Sequence, residues 1–192
     1  MGQMKIGIVS DSHDNIPSLC AAIADAKHRG AEAILHCGDI VAPSTLKKAQ
    51  QYDLPLHVIH GNNNGDLYAL SKLSHAENKI FYYGQDASFT LNEKRIFIVH
   101  YPHYARAMAI TGDYDLVCCG HNHYISVKNI INIKGTKTII CNPGTVGGVG
   151  APVTYLFGDL ESMTFKFQQE IKKGEFHEQP TKINAGIEKK ER

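Results

Sequence analysis

No run in the sequence approaches the ~18 apolar residues that span a bilayer. The opening residues, MGQMKIGIVSDSHD, lack the apolar length of a secretory signal. Gly2 is followed at position 6 by Ile6, where a myristoylation signal needs Ser or Thr. A membrane partner is therefore not expected. Charge of one sign is lacking too. The formal net charge is +1, and basic and acidic residues nearly balance outside a polar stretch at 171–192. Such a chain has no field that gathers nucleic acid, so a tight nucleic-acid partner is not expected. Closely paired cysteines are also missing. Cys20, Cys37, Cys118, Cys119 and Cys141 are odd in number and form no C-x-x-C. They sit in or beside apolar runs, which reads as reduced, buried thiols in a cytoplasmic protein.

What remains is a chain of 192 residues, 43% hydrophobic, long enough for one domain with a sizeable core. We place that domain at residues 1–170. Residues 171–192, polar with few large apolar groups, read as a mobile C-terminal tail. Strands are expected at 4–9, 33–37 and 56–60, with helices at 16–29 and 43–51 between them. Asn15 is a plausible cap, Pro17 lies in the first turn, and Gly30 suits a left-handed stop. This β-α-β-α-β run predicts a parallel sheet. From "KIFYY" onward, close-spaced apolar runs with short polar turns predict antiparallel strands, interrupted by a helix near 103–111 and the strand "DLVCC". Apolar strands in this half offer an edge for a homo-oligomer.

The polar residues of interest follow the strands. Ser10-Asp11-Ser12-His13 follows the first and Gly38-Asp39 the second. Gly61-Asn62-Asn63-Asn64 follows the third. "RIFIV" runs into His100, and "DLVCC" into Gly120-His121-Asn122-His123. Strand carboxyl ends are where open α/β sheets build sites. Five distant segments each bring Asp, His or Asn to what can be a single edge. Such oxygen and nitrogen donors suit Mn²⁺ first, and Fe, Zn²⁺, Ni²⁺ or Co²⁺. Glycines before Asp39, Asn62 and His121 permit sharp turns that aim these side chains. Two divalent ions against two carboxylates leave a cationic cluster, which favours an anionic substrate such as a phosphate ester. Each motif alone has a plainer reading: Asp11 or Asp14 as a helix cap, His121 and His123 as turn residues, Asn142-Pro143-Gly144 as a turn.

In order, "DSH", "GD", "GN", a single later His and "GHNH" resemble the D-x-H, G-D, G-N-H-(E/D), H and G-H-x-H motifs of calcineurin-like metallophosphoesterases. "NPGT" at 142–145 is similar to their N-P-G-(S/T) segment. The resemblance covers about residues 4–168 and is nearest to the small single-domain archaeal and bacterial phosphodiesterases. It implies an α/β fold of two mixed β-sheets packed as a sandwich and flanked by helices, in four α/β/β/α layers. It also implies two divalent metal ions. Asp11, His13 and His123 would hold the first, Asn62, His100 and His121 the second, and Asp39 would bridge. A metal-bridging hydroxide would attack phosphorus in line. On this reading the function is a phosphodiesterase acting on small phosphate esters.

Two departures bear on mechanism. Asn63 and Asn64 stand where the family often has a His-acid pair, and an amide is no general acid. "HYPH" at 100–103 stands where related enzymes often read H-G-H, predicting a bulkier, stiffer rim. Catalytic roles are therefore assigned to Asp39, Asn62 and, as substitute acid, His103; Asp66 is a candidate stand-in for the acidic position. The competing functions are a phosphomonoesterase or protein phosphatase, and a non-catalytic protein-binding scaffold like the phosphoesterase-like subunit of the retromer coat.

Overall fold

The computed structural model describes residues 3–180. Its first strands carry no polar alternation because both of their faces are covered. β1 (Lys5–Val9), β2 (Ala33–His36), β3 (Leu56–Val58) and β4 (Ile80–Tyr82) run parallel in that order. In β1, Ile6 and Ile8 face a second sheet, while Val9 faces the helices. Those helices are α1 (Ile16–His28), α2 (Pro43–Ala49) with a 3₁₀ turn at Gln50–Tyr52, and α3 (Leu67–Ala76). Leu19, Ile23, Leu46 and Leu70 fill the space between helices and sheet. Asn15 caps α1, its side chain accepting from the Ser18 N–H.

The second sheet holds β5 (Asp86–Leu91), β6 (Lys94–Val99), β7 (Leu116–Cys118), β8 (Ile125–Ile131) and β9 (Lys137–Pro143). Its order is β5-β6-β7-β9-β8, with β6, β7 and β9 mutually parallel. Ile96, Ile98, Leu116 and Ile139 face the first sheet. Phe97, Val99, Val117 and Ile140 face outward to α4 (Pro102–Thr111), which buries Ala105 and Ala109 against them. The layers are thus helices, sheet, sheet, helix, as the family resemblance implies.

β10 (Thr154–Asp159) returns to the first sheet beside β1 and is followed by antiparallel β11 (Thr164–Lys172) and β12 (Glu175–Gln179). This corrects the tail reading: residues 171–179 belong to the sheet. One buried ring, Phe176, packs against Tyr155 and ties β12 to the core. A single apolar residue in a polar stretch is too weak a pattern to read as a strand. The remainder of the proposed tail, 181–192, lies outside the described residues. Two further expectations change. "KIFYY" supplies β4, which pairs parallel to β3 rather than antiparallel. The helix α3 carried no sequence expectation at all; its single fully buried residue is Leu70. No helix among the described residues is long and apolar enough to cross a membrane. All five cysteines are buried and free, and burial pushes the thiols of Cys37, Cys118 and Cys141 up, so they act as small apolar groups.

Candidate metal centre

The carboxyl ends of β1, β2, β3, β6 and β7 meet at one edge of the sandwich, and the seven candidate ligands converge there. Asp11, Asp39 and His100 form the floor and are buried. His13 and His123 are half-buried, and Asn62 and His121 stand at the mouth. Five of the seven have backbone torsions in the left-handed region: Asp11 (φ 53°), His13 (44°), Asp39 (57°), His121 (72°) and His123 (59°). Such conformations cost a non-glycine residue about 1–3 kcal/mol each and persist where the surroundings impose them, often at functional sites. Backbone hydrogen bonds do the imposing: the Asp11 N–H donates to Gly38 O, and the His13 N–H to Asp39 O. Close approach also requires two glycines. A Cβ at Gly120 would lie 1.9 Å from Ser10 Oγ and 2.5 Å from Asp11 Oδ2. One at Gly61 would lie 2.1 Å from Asp39 Oδ1.

The donor atoms face inward. Asp11 Oδ1 lies 3.3 Å from His123 Nε2 and 3.9 Å from both His13 Nε2 and His100 Nε2. Asp39 presents one oxygen to each side, Oδ1 3.4 Å from His100 Nε2 and Oδ2 3.8 Å from His13 Nε2. Asn62 Oδ1 lies 3.0 Å from His100 Nε2 and 2.8 Å from His121 Nδ1. Two groups have cation-holding geometry: Asp11, His13 and His123, and Asp11, Asp39 and His100. Histidine tautomers are set from behind. His100 Nδ1–H donates to Cys37 O and His123 Nδ1–H to Val149 O, leaving each Nε2 lone pair for the interior.

The electrostatics suit a bound cation. Asp11 Oδ2 accepts the His121 N–H, but the fully buried Oδ1 has no hydrogen-bond partner. An unpartnered buried carboxylate oxygen is costly, and a divalent cation is the partner its neighbours fit. Burial works to raise Asp39, yet hydrogen bonds from the Asn63 side chain and N–H, helped by His100 and His13, hold it below the usual carboxylate range. Burial, and then His100, lower His121, which favours the neutral imidazole that a metal needs. His36, buried beneath the loop and bonded to Ser12 Oγ at 3.0 Å, is lowered by burial to about 3 and stays neutral.

The structure does not bring His103 to this cluster. It is exposed on α4, its ring beside Tyr104 (4.1 Å) and Tyr101 (5.6 Å), and it lines a separate pocket with Arg106, Asn122 and Lys128. Among the described residues no hydrogen bond joins His103 to any of the seven. Asp66 is a helix cap rather than a stand-in acid, its Oδ1 accepting the Ala69 N–H of α3. Asp14 does not cap α1, which Asn15 caps; its Oδ1 accepts from the Ala42 N–H and Thr45 Oγ1 at the start of α2. Other residues gain roles that the sequence reading missed. Thr145 Oγ1 donates to Asp11 O, and Asn142 Nδ2 donates to Gly120 O and Asn122 Oδ1. The "NPGT" segment, whose Asn142 and Pro143 end β9 rather than form the expected turn, thereby braces both the first loop and the "GHNH" turn. Tyr101 lays its ring 4.7 Å from that of His121, forming the bulky rim expected of "HYPH".

Comparison with known proteins identifies the family and the fold. The family model of the calcineurin-like phosphoesterase superfamily domain matches residues 4–163. The chain belongs to that superfamily. It is 30% identical over 147 residues to a phosphodiesterase of Methanocaldococcus jannaschii, spanning 76% of this chain and 86% of that one. Among solved structures, an archaeal phosphodiesterase superposes with a TM-score of 0.76 at 27% identity, covering 86% of this chain and 99% of the other. The vacuolar protein sorting 29 protein of Cryptosporidium parvum shares the fold, with a TM-score of 0.64 at 15% identity over 92% and 96% of the two chains.

Proposed function

We propose that the protein is a metal-dependent phosphodiesterase that hydrolyses small phosphate esters at a two-ion centre. The observation that carries this is the partnerless, buried Asp11 Oδ1, with three histidine nitrogens within 3.9 Å of it. On this reading Asp11, His13 and His123 hold one ion, and Asn62, His100 and His121 the other. Asp39, with one oxygen toward His100 and the other toward His13, would serve both ions. The bound ions would supply Lewis acidity, activating water and neutralising charge on the phosphoryl oxygens. The chain's own contribution is to position. Its buried carboxylates fix the floor, the backbone-bonded histidines hold their tautomers, and Asn62 orients at the mouth.

Asn63 holds Asp39 and has no proton to give as an acid. The enzyme should therefore favour esters with good leaving groups, which suits diesters activated by an aryl group better than demanding monoesters. A purely scaffolding role draws on the likeness to vacuolar protein sorting 29, which at 15% identity speaks for the fold alone. The complete donor set favours chemistry.

The test is a metal count per chain with turnover of an activated aryl phosphodiester in Mn²⁺. Two ions and hydrolysis are expected. No ion after attempted loading sinks the reading. Two ions with no activity on a panel of diesters and monoesters turns it toward the scaffold.

A further inference from the structure

A cleft of about 510 Å³ opens directly off the candidate metal centre. Asn62 and His100 line both the cleft and the centre, so the two share residues. Its volume falls within the range of small-molecule sites and far exceeds the room a phosphate needs. Helix α4 supplies one wall. Tyr101, Tyr104, Ala107 and Met108 recur at helical spacing on the face toward this cleft, while His103 and Arg106 point to the pocket on the other side. Phe97 and Val99 line it from β6. Tyr104 is 51% exposed, an aromatic surface without cover.

The charges on the two sides of α4 differ. The far pocket contains Arg106 and Lys128 and no carboxylate. The near cleft contains one residue of fixed charge, Asp86, together with the amides Gln85 and Asn64. Aromatic and apolar walls receive a flat ring, and a lone carboxylate with two amides receives N–H donors on its edge. The same carboxylate repels a second phosphate.

We propose that this cleft is the specificity subsite, taking the substituent of a phosphodiester that is uncharged, aromatic and of nucleobase size, with N–H donors on its rim. The proposal rests on the phosphodiesterase reading for what brings the substituent there, but binding of the substituent alone tests it separately. Two substrates with one leaving group decide it: the 4-nitrophenyl phosphodiesters of methanol and of thymidine, at its 5′ oxygen. Wild type should prefer the thymidine ester by at least about tenfold in kcat/KM, the worth of one well-packed aromatic contact. Ala107→Trp, which fills the cleft from an exposed helix position, should abolish the preference, bringing kcat/KM on the thymidine ester down to that on the methyl ester. Tyr104→Ala, a surface truncation that keeps the helix, should reduce the preference and serves if the larger substitution misfolds. Equal rates on both esters, a preference that survives Ala107→Trp, or a greater preference for a 3′-phosphorylated thymidine ester would overturn the proposal. If neither ester is hydrolysed, the phosphodiesterase reading fails by itself. Saturation-transfer NMR with free thymidine then decides the subsite: binding lost in Ala107→Trp sustains it, and no binding overturns it.

Discussion

The seven-stranded sheet has two halves, and only one of them carries the site. β1, β2 and β3 run parallel, so their carboxyl ends lie side by side, and each delivers candidate ligands to the same edge. β10, β11 and β12 run antiparallel and deliver none of the seven. Parallel pairing aims successive strand ends in one direction, whereas hairpin pairing sends alternate ends to opposite edges. The second sheet repeats the lesson. Its parallel strands β6 and β7 bring His100 and the "GHNH" turn to the same edge, and parallel β9 brings the bracing Asn142. Strand direction, more than strand composition, divides chemistry from support.

The comparison breaks most sharply at Asp39. Asp39→Asn should keep the fold, since the amide can still meet one hydrogen bond from Asn63, but lower kcat/KM on an aryl phosphodiester by roughly a thousandfold. That is the several kcal/mol a charge-stabilising ion supplies, at 1.36 kcal/mol per tenfold. An unchanged circular-dichroism melt with lost turnover is the expected pair of results. In the antiparallel half, Phe176→Ala should do the reverse. Its ring is 6% exposed and packed on Tyr155, so truncation should cost about 3–5 kcal/mol in urea unfolding. Turnover at low temperature should stay within twofold of wild type, because no ligand segment rests on β12. Loss of turnover in folded protein would show that the supporting half also tunes the site.

A third test separates two kinds of histidine within the parallel half. His57 lies along β3 rather than at its end, stacked between Phe81 (5.0 Å) and Phe89 (4.7 Å), with Nδ1 bonded to Tyr83 OH. Burial lowers it to about 4. A histidine whose folded pKa is depressed binds protons more readily when unfolded. Stability is therefore full above about pH 6.5 and falls as pH drops toward 4, by on the order of 3 kcal/mol. His57→Phe should remove the His57 share of that slope, while buried His36, lowered further, leaves a slope of the same sign and at least equal size. Unfolding free energy measured from pH 7 to pH 4 in both proteins checks it. Equal slopes would mean that the stack does not exclude the proton.

Much of this site could be read from residues alone, because the chemistry demands particular side chains behind particular glycines. Asp11, Asp39, Asn62, His100 and the "GHNH" pair each follow an apolar run, and the runs became strands. Less legible was everything that depends on distant neighbours. Asn63 could be seen as a missing acid, but its two hydrogen bonds to Asp39, 24 residues away, needed the assembled edge. The left-handed torsions at Asp11, His13 and His121 are imposed by hydrogen bonds from other loops, against the preference of those residue types. β12 escaped notice because one ring among polar residues secures it. α3 escaped because its inward stripe, Leu67, Leu70 and Leu73, is only partly covered and its cap, Asp66, drew attention as a stand-in acid.

The smallest expected effect concerns the missing acid. His103 was the nearest candidate by sequence, three residues beyond His100. Helical geometry separates them: His100 ends at the cluster, Pro102 opens α4, and the His103 ring lies against Tyr104, lining the pocket on the other side of the helix from the cleft. A group that must protonate a departing oxygen has to reach it within a hydrogen bond or through one water. Tyr101, not His103, is the aromatic ring that meets His121. His103→Ala should therefore change the rate by less than about twofold, far below the 10²–10⁴-fold worth of a general acid. A poor leaving group, such as an alkyl phosphodiester, is the demanding case, since there proton donation limits the reaction most. A loss of about a hundredfold confined to that substrate, with aryl diesters unaffected, would restore His103 as the acid and require α4 to move when substrate binds. A rate unchanged from wild type on both substrates would leave water as the proton source, as the proposed need for a good leaving group requires.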